Sequence, residues 1–285
     1  MQFSVRSLCV ALTLVCVSLA WQVAGAHRAR AGVELAKSLH AHFWFDEDCA
    51  LSLGPNGYNI KNNPPPRGPR WLRKTIGDEY FRRIVVLSFV WRPITDDDLE
   101  RIVAVMPELW ALSLEKPEVT NAGMVHLRRL RQLRQLSLTR AKIDSDGLAN
   151  LEALSELRWL ELDLTNVGDD GLKHLRHLPA LTTLSLQLTG ITDAGLIELT
   201  KLPALDNFLD LNGTEVTDAG VETLKQLRRL RRLELGRTKV TAEGIRKLRE
   251  ALPETDITQR ETHGYENRNQ TLRRSRRAAS LRGRQ

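Results

Sequence analysis

Leu181 to Leu205 reads LTTLSLQLTGITDAGLIELTKLPAL, and the chain repeats this stretch with small edits from about residue 84 to residue 253. Leu109, Leu133, Leu157, Leu181 and Leu205 recur every 24 residues, each opening a segment of the form LxxLxL. The next copy opens at Leu230, one residue late because Asp206-Asn207-Phe208-Leu209 carries an insertion, and the first copy, opening at Ile84, is likewise one residue long. A fixed period in the twenties means one supersecondary unit per period, each unable to bury its apolar face alone and therefore stacked on its neighbours. The expected fold class is α/β: a solenoid of about seven repeats of 24–25 residues, with a parallel inner sheet and outer helices.

Within the unit, Leu181, Leu184 and Leu186 point into the core and the residues between them line the opposite face, as a strand's period of two requires. Ile191 buries its side chain after the turn. Thr192-Asp193 stands where a helix must begin, and its oxygens can accept from the first-turn amides. Variants recur at Thr95-Asp96, Thr120-Asn121, Ser145-Asp146, Thr217-Asp218 and Thr241-Ala242, with Gly168-Asp169 the weakest cap. Gly195, matched at Gly123, Gly147, Gly171, Gly220 and Gly244, lets the helix start approach the neighbouring coil, although Asp98 holds that place in the first unit. Leu196, Leu199 and Leu202 pack the helix inward.

Outside the repeats, residues 7–26 form an apolar run without charge, long enough at 1.5 Å per residue to cross a hydrocarbon core of about 30 Å. Trp21, His27, Arg28 and Arg30 resemble an interfacial belt, so 1–30 reads as a transmembrane anchor. Ala24-Gly25-Ala26 also suits signal-peptide cleavage, leaving a secreted chain as the alternative. Residues 31–82 read as an N-terminal cap: a helix with Val33, Leu35, Ala36 and Leu39 inward, a strand at 42–45, a loop marked by Gly54-Pro55-Asn56-Gly57 and Pro64-Pro65-Pro66, and packing from Trp71 and Tyr80. The repeat domain is assigned 83–253. A basic tail, 254–285, is read as disordered for want of apolar residues. Eight arginines against two glutamates after residue 259 hold +6 of the formal +7 charge, so the pI near 9.6 describes a tail rather than a nucleic-acid-binding body. The tail suits anionic lipid or an anionic polymer, and its lack of stacking aromatics disfavours nucleic acid.

The sequence offers no catalytic constellation. GxSxG, P-loop and HExxH patterns are absent, and the three cysteines, Cys9, Cys16 and Cys49, form neither a disulfide framework nor a zinc site. Repeated Asp near Thr could suggest a metal array, but these positions vary between Asp, Asn and Ala while staying compatible with helix starts. His126, His174 and His177 lie on helical surface among basic residues. No enzyme, metal or cofactor is expected.

The units VTDAGVETL at 216–224 and ITDAGLIEL at 191–199 resemble the TDAGL-type leucine-rich repeats common in bacterial proteins, loosely similar to the ribonuclease-inhibitor-like class. FSVRSLCVALTLVCVSLAWQV with HRAR, then HFWFDED and PRWLRKTIGDEYF, is similar to the N-terminal region of bacterial membrane-anchored proteins of this repeat type. The resemblance covers residues 3–253. It implies a curved solenoid, an uncleaved anchor and protein–protein interaction, with no catalytic residues to carry over.

If the inner wall recognises a partner, its outward residues follow from strand register, and the candidates are Glu115, Trp159, Glu161, Asp163, Gln187, Asp210 and Glu234. Trp159 stands out because aromatic anchors dominate interface energetics. The expected function is a non-catalytic, membrane-tethered module binding a protein partner of basic or polyhydroxyl character on its concave face. The alternative is a structural or adhesive envelope component using the solenoid and the arginine tail.

Overall fold

The computed structural model describes residues 25, 27–45, 52–54, 57–59, 84–89 and 93–259. Strand β1 (His42–Phe45) leads into a nine-stranded sheet; β2 (Ser52–Gly54) and β3 (Gly57–Asn59) form a separate antiparallel hairpin. The sheet continues with β4 (Ile84–Phe89), β5 (Ala111–Leu114), β6 (Gln135–Ser137), β7 (Trp159–Glu161), β8 (Thr183–Ser185), β9 (Phe208–Asp210), β10 (Arg232–Glu234) and β11 (Asp256–Thr258), in chain order. From β4 to β11 every pairing is parallel. The expected solenoid is therefore present, and β1 closes its edge as an antiparallel strand, His42 opposite Ser88 and Phe43 opposite Leu87.

The periodic leucines account for the packing. Leu112, Leu136, Leu160, Leu184, Leu209 and Leu233 stand in register on successive strands and are at most 1% exposed. They join Ile191, Leu196, Leu199 and Leu202 in one continuous core. Helices run Asp96–Val105, Asn121–Leu127, Asp169–Leu175, Leu196–Leu199, Val221–Leu224 and Ala242–Ala251, with a 3-10 segment at Ser145–Leu151. Most are one or two turns, so their stability comes from the apolar face they bury rather than from propensity. At the N-terminal end a helix over 27–38 places Val33, Leu35 and Ala36 in the core, with Leu39 just beyond it, as the spacing predicts. Residues 254–259, counted with the tail in the sequence, continue the repeat: Ile257 is buried, and Thr255 Oγ1 donates to Leu230 O at 2.7 Å.

The Thr-Asp pairs divide into two tasks. Thr95, Thr120, Thr192, Thr217 and Thr241 accept first-turn amides and act as caps, while Gly168 makes no side-chain cap bond. In the 145–151 unit the cap is Asp144, not Ser145, because the 24-residue period gives Asp144 the place that Thr120 holds in the preceding unit. The aspartates mostly serve the next coil instead. Asp96 receives Thr120 N and Oγ1 at 2.8 and 2.6 Å; Asp169 does the same for Thr192, Asp193 for Thr217 and Asp218 for Thr241. Glycine is what admits that carboxylate. A Cβ on Gly123, Gly195, Gly220 or Gly244 would lie 2.0–2.4 Å from the Oδ1 of Asp96, Asp169, Asp193 or Asp218. Asp98 is tolerated in the first unit because its side chain turns back on Thr95 in a capping box.

A further regularity has no glycine signature. Lys116, Arg140, Leu164, Leu188, Gly213 and Arg237, one per coil after the strand, all have φ between 53° and 69°. A left-handed L-residue costs about 1–2 kcal/mol. The geometry persists because amides there bond across coils, as when Arg140 N donates to Asp163 O and Leu188 N to Asn212 O, both 2.8 Å. Among the described residues no helix is long and apolar enough to cross a membrane. The proposed anchor at 7–26, apart from Gly25, lies outside the described residues, as do Cys49, Trp71, Tyr80 and the tail beyond 259.

Two outcomes follow for stability. Gly195→Ala is expected to cost about 1–3 kcal/mol by overpacking. Adding Asp169→Ala removes the clashing carboxylate, so a double-mutant cycle read by urea unfolding shows a coupling of roughly 1–3 kcal/mol. For pH, the Thr241 amide and hydroxyl hold the Asp218 carboxyl below its ordinary range, and Asn121 does the same for Asp144. A depressed carboxylate contributes stability above the unfolded pKa, near 4, and loses it as pH falls through the lower folded value. The melting temperature should therefore hold down to about pH 5 and fall below about pH 4, with a smaller fall in Asp218→Asn.

Candidate functional site: the outward wall of the sheet

Three outward rows run across the sheet. The first is Gln135, Trp159, Thr183, Phe208 and Arg232, paired residue to residue on β6 to β10. The second, two residues on, is Ser137, Glu161, Ser185, Asp210 and Glu234. The third, just beyond the strands, contains Glu115, Thr139, Asp163, Gln187 and Asn212. Parallel strands stand about 4.8 Å apart, so side chains in a row touch their neighbours and shield one another.

That crowding changes how the acidic candidates present themselves. Glu161, Asp163, Asp210 and Glu234 face outward by register yet are only 8%, 2%, 7% and 8% exposed. Burying a carboxylate requires donors, and the wall supplies them. Asp163 Oδ1 receives Ser185 Oγ at 2.5 Å and Gln187 N at 3.1 Å. Asp210 Oδ1 receives Asn212 N at 2.8 Å. The Asn212 amide then donates to Glu234 Oε2 at 2.7 Å and accepts Gly236 N at 2.5 Å. Glu234 Oε1 meets Arg232 Nη2 at 2.5 Å. Asp163 and Gln187 are thus joined directly, Asp210 and Glu234 are joined through Asn212, and Glu115 stands apart, half-buried near the N-terminal end.

Trp159 is half-buried, its indole Nε1 donating to Glu161 Oε1 at 3.2 Å. Two strands away in the same row is Phe208, also half-buried, with the Arg232 guanidinium over its ring at 5.6 Å. Thr183 lies between the two aromatics, 2% exposed, accepting Asn207 Nδ2 at 2.9 Å. On the other side of Trp159 is Gln135, 9% exposed, whose amide nitrogen has no hydrogen-bond partner. Phe208 is absent from the candidates read from sequence because it falls in the insertion 206–209. Counting back one residue from Leu209, as from Leu184, would have placed it on the outward row.

The wall offers groups suited to recognition: two aromatic faces about 10 Å apart, the Arg232 guanidinium at one end of the row, and a second row of hydrogen-bonded carboxylates. Among the described residues no three His, Cys, Asp or Glu side chains are grouped to hold a metal ion.

No curated protein matches the chain in sequence. Among solved structures it is similar to an internalin, InlF, of Listeria monocytogenes, at 23% identity and a TM-score of 0.49 over 62% of this chain and 48% of that one. It is also similar to internalin C2 of the same organism, at 20% identity and a TM-score of 0.47 over 62% of this chain and 81% of that one. The chain thus spans about half the length of the first. Residues 177–199, the unit that sets the period, match the Leucine Rich repeat family.

Proposed function

We propose that the chain is a non-catalytic, membrane-tethered interaction module that receives a protein partner on the concave wall. One observation supports this most: the row Gln135, Trp159, Thr183, Phe208 and Arg232 leaves two aromatic rings partly open and one amide without a partner on an otherwise polar face. A wall serving solubility alone has no use for half-buried aromatics. The leucine-rich repeat at 177–199 supports a protein as the partner class. Trp159 and Phe208 are the anchors, Gln187 and Glu115 the accessible polar contacts; Glu161 and Glu234 hold Trp159 and Arg232 of the first row in place, and with Asp163 and Asp210 they set an acidic field suited to a basic or polyhydroxyl segment. Tethering is supported by the apolar run 7–26, and a cleaved, secreted form is the alternative. An adhesive envelope role through the arginine tail stays the second reading.

Crosslinking in native membranes identifies what the wall holds. Against that partner, Trp159→Ala with Glu161→Gln, or Phe208→Ala alone, should weaken capture by about tenfold or more, the scale of an interface hot spot. Unchanged capture by both would remove the concave wall as the site. Separately, the chain should stay with membranes through alkaline carbonate extraction and be released by deletion of residues 1–30. Release of the intact chain would favour the secreted form.

A further inference from the structure

We propose that a second surface, the edge formed by the helix-to-strand connections, docks against a bilayer rich in anionic phospholipid. This goes beyond the concave wall and rests on the tethering reading. Each coil returns from its helix to its strand along the same edge, as the bonds Arg134 N to Trp110 O, Arg158 N to Arg134 O and Arg231 N to Asp206 O align them. Two of these connections, RRLRQLR at 128–134 and KQLRRLR at 225–231, each carry four cationic side chains. Four strand steps separate them, about 19 Å, with Arg158 and Arg176 between.

The pairing of charges sets this edge apart. On the opposite edge Lys142 pairs with Glu118 and Lys239 with Glu215, and on the last helix Arg246 pairs with Glu243 and Glu250. Where this edge begins, the two lysines Lys201 and Lys225 pair back to Glu198 and Glu222 of their own helices, which leaves the charge of the edge to its arginines. Arg128, Arg131, Arg158, Arg176, Arg228 and Arg231 are exposed and form no ion pair among the described residues. Five acids lie on the edge against this excess of arginine: Glu152, held by His174 at 2.8 Å and also in the field of Arg128; Glu156 and Asp206 between the clusters; and Glu108 and Glu254 beyond them. Clustered like charges repel, and a surface of opposite charge relieves that repulsion.

Arginine rather than lysine predominates, and its planar fork binds phosphate oxygens two at a time. Two clusters along one straight edge suit a flat phosphate surface. Single-stranded nucleic acid is disfavoured because bases need aromatic platforms. The only aromatic in the connections from 106 to 231 is Trp110, whose face is covered by the Arg134 guanidinium at 5.2 Å. The apolar run 7–26 precedes the capping helix over 27–38, so a tethered solenoid would stand within reach of head groups.

The test uses the full chain with Cys9, Cys16 and Cys49 changed to Ser and one donor dye, at Gln132→Cys on this edge or Asn166→Cys on the opposite one. Each is reconstituted with phosphatidylcholine vesicles, with or without phosphatidylglycerol, carrying an acceptor dye on the head groups. Energy transfer should be stronger from 132 than from 166 in phosphatidylglycerol vesicles. The difference should be lost in phosphatidylcholine, at about 1 M salt, where screening acts within a few Å, and on changing Arg128, Arg131, Arg228 and Arg231 to Glu. Equal transfer from the two sites in phosphatidylglycerol, or a difference that survives the charge reversal, overturns the proposal. So does retention on single-stranded RNA through the same four arginines without asymmetry on vesicles. Flotation with phosphatidylcholine vesicles reports the tether by itself: a chain that fails to float lacks the anchor, while the edge preference is still read on phosphatidylglycerol.

Discussion

At four of the six junctions between repeat helix starts, a carboxylate leaves its own helix start and takes the amide and hydroxyl of the following threonine, while Asn121 bonds Asp144 and Ser145 bonds Gly168 at the other two. Asp169 to Thr192 and Asp193 to Thr217 are typical, at 2.8 and 2.6 Å. The leucine core supplies most of the burial, but apolar contact is non-directional and would tolerate sliding. The aspartate clamp is directional and fixes a coil's offset from its neighbour. It also explains the glycine three residues after the threonine: at Gly195 or Gly220 the space a Cβ would fill is occupied by the previous coil's aspartate.

With the offset fixed, the sheet becomes a ruler on which side chains stand in rows about 4.8 Å apart. On the outward wall this brings carboxylates close enough to need donors, and Ser185, Gln187, Asn212 and Arg232 provide them. The wall is thereby stiffened, and under the proposed function this would lower the ordering cost of binding. On the helix-to-strand edge the same ruler lines up arginines in excess of the acids beside them. One scaffold thus carries a hydrogen-bonded acidic face and an edge with excess basic charge, both made by positions that vary between coils.

The scaffold was largely legible. Leu181, Leu184 and Leu186 face inward, Ile191 is buried, the threonines cap, and the glycines mark close approach, because each depends on local periodicity or on a residue's own chemistry. The candidate site was legible in register and not in state. Trp159 lies on the outward row as counted, but Phe208, two strands away in the same row, is hidden by a one-residue insertion. Asp163 lies on the wall as counted, yet its 2% exposure depends on Ser185 and Gln187, a coil away in sequence. The second partner of each clamping aspartate is 23 or 24 residues downstream, so a local reading assigns it to its own helix.

By itself, the sequence determined the repeat period, the inward leucines, the parallel strands and the places where helices begin, since those follow from spacing and side-chain type. Only the tertiary structure decided that the aspartates clamp the next coil, that Lys116, Arg140, Leu164, Leu188 and Arg237 adopt left-handed backbone without glycine, and that β1 runs antiparallel at the sheet edge. It also decided which wall charges are satisfied and which edge charges are not. The reason is physical: these features arise between coils, from groups brought within hydrogen-bonding distance by stacking, and no single copy of the repeat contains both partners.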